Sequence, residues 1–289
     1  MKKYLKYAFT IAAPLVFNSC NLGGSIADGI SVKEEGVSVD KVYVSDGKDE
    51  LKTRTFTYGQ NIYTNFEGVE GFNFENNKYY PQMSVYIVSK EGDTVMKQDK
   101  LYNDNAGFGK EINVLEGRLI LANPIHSGKE YTVHYTITDQ KGDGRLYSEM
   151  DFNLIKDDNI QVEKNGLDFQ EAYIMSQKTG EVITNAEIGF DQLLLMDFQG
   201  LNGYQLKNGM VSLGLYVKMT DSSGNVVVEN KDAFSGRGTM DENTVKQGIA
   251  STMKLSRGKL DNPVKWEMRI WDKNSDAELK AVAELTVKN

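Results

Sequence analysis

The chain repeats itself, and this repetition limits its possible folds more than any other feature of the sequence. Shifted by about 130 residues, the two halves align over most of their length. The clearest match places Phe66–Phe72 over Phe198–Tyr204, with both glycines and the aromatic ends kept. Further matches occur in the same order: Ile30 with Ile160, Gly36 with Gly166, Tyr43 with Tyr173, Gly92 with Gly224, Asp139 with Asp272 and Phe152 with Leu285. This collinear series indicates an internal duplication, so the chain folds as two copies of one unit.

Each copy has the pattern of a β protein. Apolar and polar residues alternate in Met83–Ile87 and in its counterpart Leu215–Met219, and a glycine-containing turn follows each segment. Val264–Ile270 shows the clearest alternation, and only residues 241–253 leave room for one or two helical turns. About seven strands in about 130 residues are typical of an immunoglobulin-like β-sandwich. We therefore predict an all-β chain with two tandem immunoglobulin-like β-sandwich domains related by internal duplication, at residues 27–157 and 158–289.

The repeated element at 66–72 and 198–204 has two interpretations. A glycine-rich loop that binds phosphate requires a helix directly after it, but polar residues 73–78 follow the first copy. Alternatively, Gly68, Gly71, Gly200 and Gly203 allow a tight crossover with a left-handed backbone while the aromatic ends enter the core. We predict the second, structural role, because the polar residues between the glycines differ between the copies.

The N-terminal residues have the layout of a secretory signal. Lys2, Lys3 and Lys6 precede an apolar segment, Ala8–Phe17, which is too short to cross a membrane. Cys20 follows shortly after that segment and is the only cysteine in the chain, so no disulfide can form within it. We predict a signal peptide over residues 1–19 and a flexible tether over residues 20–26.

Cys20 in this position resembles the lipobox cysteine of bacterial lipoproteins, whose thiol carries the lipid anchor. Ser19 fits the pattern, whereas Phe17 and Asn18 depart from it and resemble the looser boxes of Bacteroidetes-type lipoproteins. The alternative is a signal peptide without lipidation and an incidental cysteine. We expect lipidation at Cys20, because it accounts for the unpaired thiol.

Charge excludes one class of partner. The chain has a formal net charge of −8, and removal of a signal with three lysines and no acid takes it to −11. Such an excess of acid argues against nucleic-acid binding. The remaining contacts with a membrane are expected to come from the lipid anchor alone.

Catalytic and metal-binding chemistry has little support in the sequence. The two histidines, His126 and His134, have no nucleophile motif beside them. Asp139–Gly144 resembles a calcium loop, but Lys141 and Met150 occupy positions where such a loop needs oxygen ligands, so we predict a hairpin turn. A pair of acids cannot be recognised from sequence and stays open as an alternative. We expect no enzyme activity, no cofactor and no metal site.

Aromatic residues on outward faces are the best candidates for ligand contact. Strand alternation points Trp266 inward and Trp271 outward, and it places Tyr80, Tyr86 and Tyr216 on outward faces as well. Exposed aromatic side chains stack on sugar rings or anchor protein partners. Alternatively they are exposed by default, or Trp271 covers the joint between the domains.

With Cys20 and two duplicated β units, the chain resembles uncharacterised Bacteroidetes-type lipoproteins with immunoglobulin-like domains. That resemblance implies a non-catalytic protein, anchored in the outer membrane, that binds or assembles with a protein partner. The alternatives are a glycan-binding lipoprotein of a polysaccharide-utilisation system and, with less support, a fimbrial subunit. Surface export in such bacteria uses acids just after the cysteine, and only Asp28 is near, so the periplasmic face is expected.

Overall fold

The computed structural model describes residues 29–102, 107–109, 113–258 and 260–288. The predicted signal peptide, Cys20 and the tether lie outside the described residues. The strands of the first copy are β1 (Ile30–Glu35), β2 (Lys41–Ser45), β3 (Thr55–Thr57), β4 (Asn61–Glu67), β5 (Pro81–Ser89), β6 (Thr94–Gln98), β7 (Val114–Ile120), β8 (Lys129–Asp139) and β9 (Arg145–Ile155).

The second copy contains eleven strand segments and a short helix within the described residues. They are β10 (Ile160–Asn165), β11 (Glu171–Ser176), β12 (Glu187–Gly189), β13 (Leu193–Gln199), β14 (Met210–Val211), β15 (Leu213–Thr220), β16 (Val226–Asn230), β17 (Met240–Asp241), α1 (Glu242–Gln247), β18 (Ile249–Lys254), β19 (Val264–Asp272) and β20 (Glu278–Lys288).

The two copies share one topology. The large sheet of the first copy has the order β1-β9-β8-β5-β6, and that of the second has the order β10-β20-β19-β15-β16. A three-stranded sheet completes each copy, β2-β4-β7 in the first and β11-β13-β18 in the second. Even the short parallel pairings correspond, because β3 pairs with β9 as β12 pairs with β20. The predicted all-β fold of two duplicated sandwich units is confirmed.

Alternation along the strands forms two separate cores. In β19, the inward residues Trp266, Met268 and Ile270 are fully buried, and the residues between them face outward. The first copy has its own cluster, in which the Phe66 ring packs edge-on against Tyr135 at 5.6 Å between centroids. Each large sheet therefore has one face on a core and one outer face, which is typical of an antiparallel sandwich.

Residues 241–253 contain a helix of between one and two turns, as predicted, followed by a strand. The helix α1 covers only Glu242–Gln247 and begins at Asp241, whose carboxylate accepts a hydrogen bond from the Thr244 N–H at 2.9 Å. Residues 249–254 form the edge strand β18, which the sequence reading did not predict. Its inward residues, such as Ile249 and Met253, close the core of the small sheet and therefore favour the strand.

The repeated glycines have the backbone conformation predicted for them. The φ angles of Gly68 and Gly71 are 69° and 93°, and those of Gly200 and Gly203 are 66° and 87°. A Cβ on Gly203 would lie 2.1 Å from the carbonyl oxygen of Gly166, and the first copy shows the same distance at its equivalent pair. Gly71 and Gly203 are therefore required for close backbone approach in both copies. The two aromatic residues at the ends of the first copy's element differ in burial. Phe66 is fully buried, and Phe72 is half-buried against the core.

A buried carboxylate joins the two copies. Glu171 of β11 is almost completely buried and accepts two hydrogen bonds from Ser127 of the first copy, one from its N–H at 2.9 Å and one from its hydroxyl at 2.7 Å. Next to it, the rings of Tyr58 and Tyr173 pack with centroids 5.9 Å apart. Tyr173 therefore belongs to the core cluster of the first copy although it lies in the second. This joint is packed and hydrogen-bonded.

Asp197, in the same region, is expected to make the stability of the fold depend on pH. It is buried, and burial raises the pKa of its carboxyl, although hydrogen bonds from Tyr173 and Gln199 oppose the rise. The charged form is thus disfavoured in the folded state, so stability falls as pH rises through the folded pKa. The first copy has Asn65 at this position. We expect Asp197→Asn to raise the melting temperature at pH 7 by a few degrees.

The control for Asp197→Asn is the pH profile itself. The gain in stability is expected to shrink in acid, once the wild-type carboxyl is protonated in both folded and unfolded states. Thermal unfolding at pH 7 and at pH 3.5, followed by circular dichroism, measures both values. An equal gain at both pH values would show that the effect does not come from the charge of Asp197.

Candidate functional site

The outer face of the second large sheet holds Tyr216 and Trp271, two of the four aromatic residues predicted to contact a ligand. Trp271 of β19 lies opposite Gly214 of β15, and Arg269 lies opposite Tyr216, so all three larger side chains share this face. Both aromatic residues are half-buried, and Arg269 is exposed. We call this set of Tyr216, Arg269 and Trp271 the second outer face.

Trp271 is seated on the sheet. A Cβ at Gly214 would lie 2.0 Å from the Trp271 ring, which shows that the indole fills the space of a side chain at that position. The guanidinium carbon of Arg269 lies 5.2 Å from the indole centroid, within the range of a cation–π contact. The ring therefore has a fixed position and contacts its own sheet. The joint contacts described above come from other residues, Tyr58, Tyr173, Ser127 and Glu171.

Arg269 forms an ion pair with Glu278, and a second cation, Lys280, pairs with the same carboxylate. Its guanidinium donates to Glu278 of β20, with 2.6 Å between Nε and the carboxylate oxygen. Lys280 lies 3.0 Å from the other oxygen of the same carboxylate. The Lys280 ammonium, followed by the Arg269 guanidinium, lowers the pKa of Glu278, so its carboxylate is charged at neutral pH. Holding Arg269 in place reduces the conformational entropy that a bound state would cost.

Tyr216 borders a shallow groove on the same face. Its hydroxyl donates to Glu229 of β16 at 3.0 Å. Burial, and then the Glu229 carboxylate, raises the pKa of Tyr216, which therefore stays protonated and able to donate. The groove has a volume of about 420 Å³ and runs along Tyr216, Arg269, Lys280 and Gln161. The face thus combines aromatic, cationic and hydrogen-bonding groups around one depression.

The first copy has small polar residues where the second has this set. Register places Ser84, Thr136 and Thr138 at the positions of Tyr216, Arg269 and Trp271. Gly214 corresponds to Gln82, which lies opposite Thr138 as Gly214 lies opposite Trp271. Because both copies fold alike, the sandwich does not need these larger side chains. The glycine at position 214, where the first copy has Gln82, is the sequence signal for the seat of Trp271.

The outer face of the large sheet in the first copy carries a different pair of aromatic residues, Tyr86 and His134. Tyr86 of β5 stacks on His134 of β8 with centroids 4.5 Å apart and planes at 11°. The outward direction predicted for Tyr86 is confirmed. Tyr80 precedes β5, is half-buried, and lies under the Lys141 ammonium at 4.9 Å. Tyr80 and Tyr86 therefore belong to the first copy, and the structure does not bring them together with Tyr216 and Trp271.

The aspartate-rich turns have a structural role. The Asp139 carboxylate accepts the N–H groups of Asn73 and Lys141 at 2.8 and 2.9 Å, and Asp272 accepts those of Gln205 and Asn274 at 2.9 and 3.0 Å. Each aspartate thus ties a hairpin turn to the chain after the repeated glycine element, and the predicted hairpin turn is confirmed. Among the described residues, no group of three or more His, Cys, Asp or Glu side chains is placed to hold a metal ion.

Two buried acids concern the alternative of a catalytic pair of acids. The buried carboxylates of Glu171 and Asp197 lie near the joint, where Ser127, Tyr173 and Gln199 donate hydrogen bonds to them. In the part of the chain that the structure describes, no helix has the length and apolar character needed to cross a membrane.

Accessibility of Trp271 can be measured directly. Trp266 is fully buried, whereas Trp271 is half-buried on the outer face. We expect iodide to quench the fluorescence of Trp266→Phe, in which Trp271 is the only tryptophan, several times more strongly than that of Trp271→Phe. Stern–Volmer titration at equal ionic strength makes the comparison. A protected, blue-shifted emission from Trp271 would exclude it as a contact residue.

Comparison with known proteins gives no family. No protein-family model and no curated protein sequence matches the chain. Among solved structures, trypsin-activated alpha-2-macroglobulin from Escherichia coli matches 90% of this chain and 17% of that chain, at 9% identity and a TM-score of 0.25. The C-terminal domain of the Streptococcus agalactiae AgI/II polypeptide BspA matches 84% of this chain and 99% of its own, at 9% identity and 0.23. A calcium-binding mutant of Bacteroides uniformis beta-glucuronidase 2 matches 89% and 32%, at 8% identity and 0.24.

Proposed function

We propose that the protein is a non-catalytic, lipid-anchored envelope protein that binds a protein partner through the second outer face. The observation that carries this proposal is the presence of Tyr216, Arg269 and Trp271 on one copy only. Tryptophan, tyrosine and arginine are the residue types that contribute most to protein–protein binding. The lipid on Cys20 would hold the two sandwiches at the membrane, and the packed joint would limit the movement of this face relative to the anchor.

The geometry favours a protein partner over a glycan. A sugar ring stacks on an open aromatic face, but Gly214 and Arg269 both lie against the Trp271 indole. The Tyr216 hydroxyl is already paired with Glu229. Mixed charges from Arg269, Glu278 and Lys280 surround the rings, as in the polar rim of a protein interface.

A photocrosslinking experiment tests the proposal in intact cells. A photoreactive phenylalanine analogue replaces Gln161, which is exposed and borders the groove of the second outer face. The control replaces Ser31, the exposed equivalent in the first copy. We expect a discrete, protease-sensitive adduct from position 161 and none from position 31. Equal adducts from both positions, or no adduct together with saturable binding on a glycan array, would contradict the proposal.

A further inference from the structure

The edge strand β16 of the second copy is exposed along its whole length. It pairs with β15 on one side and forms the end of its sheet. Three consecutive valines, Val226, Val227 and Val228, are 55%, 40% and 42% exposed. An edge strand offers unpaired backbone N–H and C=O groups, and proteins usually shield such edges or place charges on them. Exposed apolar residues on an edge are therefore an unusual feature that calls for an explanation.

The first copy does not share this exposure. Register and sequence place Val95 and Met96 of β6 at the positions of Val227 and Val228. These two residues are half-buried and pack against the first core. The fold can thus cover this edge, and the second copy leaves it open.

A cleft lies between β16 and β18, the end strands of the two sheets. It has a volume of about 450 Å³. Its walls include Val227 and Val228 on one side and residues 250–255 on the other, and the buried core residues Leu215, Val217 and Phe234 also line it. An extended chain placed along β16 would direct every second side chain into this cleft.

Polar groups in the cleft lack partners. The hydroxyl of Ser251, a residue only 4% exposed, has no hydrogen-bond partner among the described residues, although buried polar groups normally have one. Arg237 lies over the Phe234 ring, and Lys254 is exposed on β18. Neither cation has an ion-pair partner within the described ranges. In a chain with a net charge of −8, this local positive charge favours an acidic ligand.

We propose that the cleft between β16 and β18 receives an extended strand of a partner protein. The strand adds to the open edge of β16 by main-chain hydrogen bonds, which is a general mode of peptide recognition. Its small apolar side chains fill the cleft at alternate positions, and a carboxylate on it pairs with Arg237 or Lys254. This inference rests on the proposed function only in that the ligand is a protein.

The test uses the full chain in detergent and a labelled peptide, acetyl-Asp-Val-Thr-Val-Thr-Val-Asp-amide. Fluorescence anisotropy is expected to show saturable binding with a Kd below about 1 mM. Val228→Asp should weaken binding at least tenfold, because it places a charge in an apolar part of the cleft and repels the acidic peptide. Ile120→Asp, a change at a similarly exposed apolar residue of the first copy, is the matched control and should bind like the wild type.

Two further peptides separate the contacts. Methylation of alternate backbone nitrogens should abolish binding, since it removes the main-chain donors. Replacing both aspartates with asparagine should weaken binding to the wild type but not to the double variant Arg237→Gln, Lys254→Gln. If Val228→Asp lowers the melting temperature, Val227→Asp takes its place.

Several results would overturn the inference. Absence of peptide binding up to 1 mM, or equal binding of the methylated peptide, would exclude strand addition. Dimerisation of the wild type that Val228→Asp abolishes, without peptide binding, would show a second copy of this chain to be the occupant. Position 161 lies on β10, at the opposite edge of the sheet from β16. Crosslinking from position 161 can therefore succeed when the peptide fails, and the reverse.

Discussion

Replacing Gly203 with alanine will lower the free energy of unfolding by about 3 kcal/mol or more. Two effects add at this position. A φ of 87° disfavours any side chain, and the new Cβ would lie 2.1 Å from the Gly166 carbonyl oxygen, which is backbone and cannot move aside. Urea unfolding followed by the emission of the buried Trp266 reports on the second copy.

Gly224→Ala is the matched control for Gly203→Ala. Its φ of 83° is nearly the same, but no atom lies within 4 Å of the Cβ position. We expect this control to cost about 1 kcal/mol, the strain of the left-handed conformation alone. Gly71→Ala should destabilise the first copy as Gly203→Ala does the second, because its contact with Gly36 is the same. Equal losses for Gly203→Ala and Gly224→Ala would contradict the assigned close approach.

Replacing Cys20 with serine will move nearly all of the protein out of the membrane fraction. The prediction rests on the sequence, in which Cys20 follows a signal core and is the only cysteine. Each buried methylene of an acyl chain contributes about 0.8 kcal/mol, so loss of the proposed lipid would remove the whole anchor. The serine variant is also expected to remain unprocessed or to be released soluble, and fractionation followed by immunoblotting measures both outcomes.

Ser19→Ala serves as the control for the anchor experiment, because it keeps a small residue before the cysteine. It should sediment with membranes like the wild type. If Cys20→Ser protein still sedimented after a carbonate wash, the lipid anchor would be wrong and another membrane contact would have to replace it.

Most of the fold could be predicted from the internal duplication in the sequence. Glycines that recur at the same place in two diverged copies revealed a backbone constraint, and the φ angles of Gly68 and Gly203 confirm it. Period-2 alternation located strands such as β19 because one face of each large sheet is buried. The strand β18 was missed because its short segment follows a helix-compatible stretch, and only packing in the small sheet selects the strand.

The joint and the open edge could not be predicted in this way. The contacts of Glu171 with Ser127 and of Tyr58 with Tyr173 link residues from different copies, so neither copy contains the pattern. The exposure of Val226–Val228 depends on what covers the edge, which strand alternation does not specify. Trp271 was placed correctly on the outer face, but its seat on Gly214 required the register of β15 against β19.

The claim that the second outer face binds a protein is tested most directly by giving it the residues of the first. The triple variant Tyr216→Ser, Arg269→Thr, Trp271→Thr installs the side chains found at 84, 136 and 138. With the photoreactive group at position 161, we predict at least a tenfold loss of the adduct while both copies still unfold cooperatively, because all three residues lie outside the core. An unchanged adduct yield from the folded triple variant would contradict the claim.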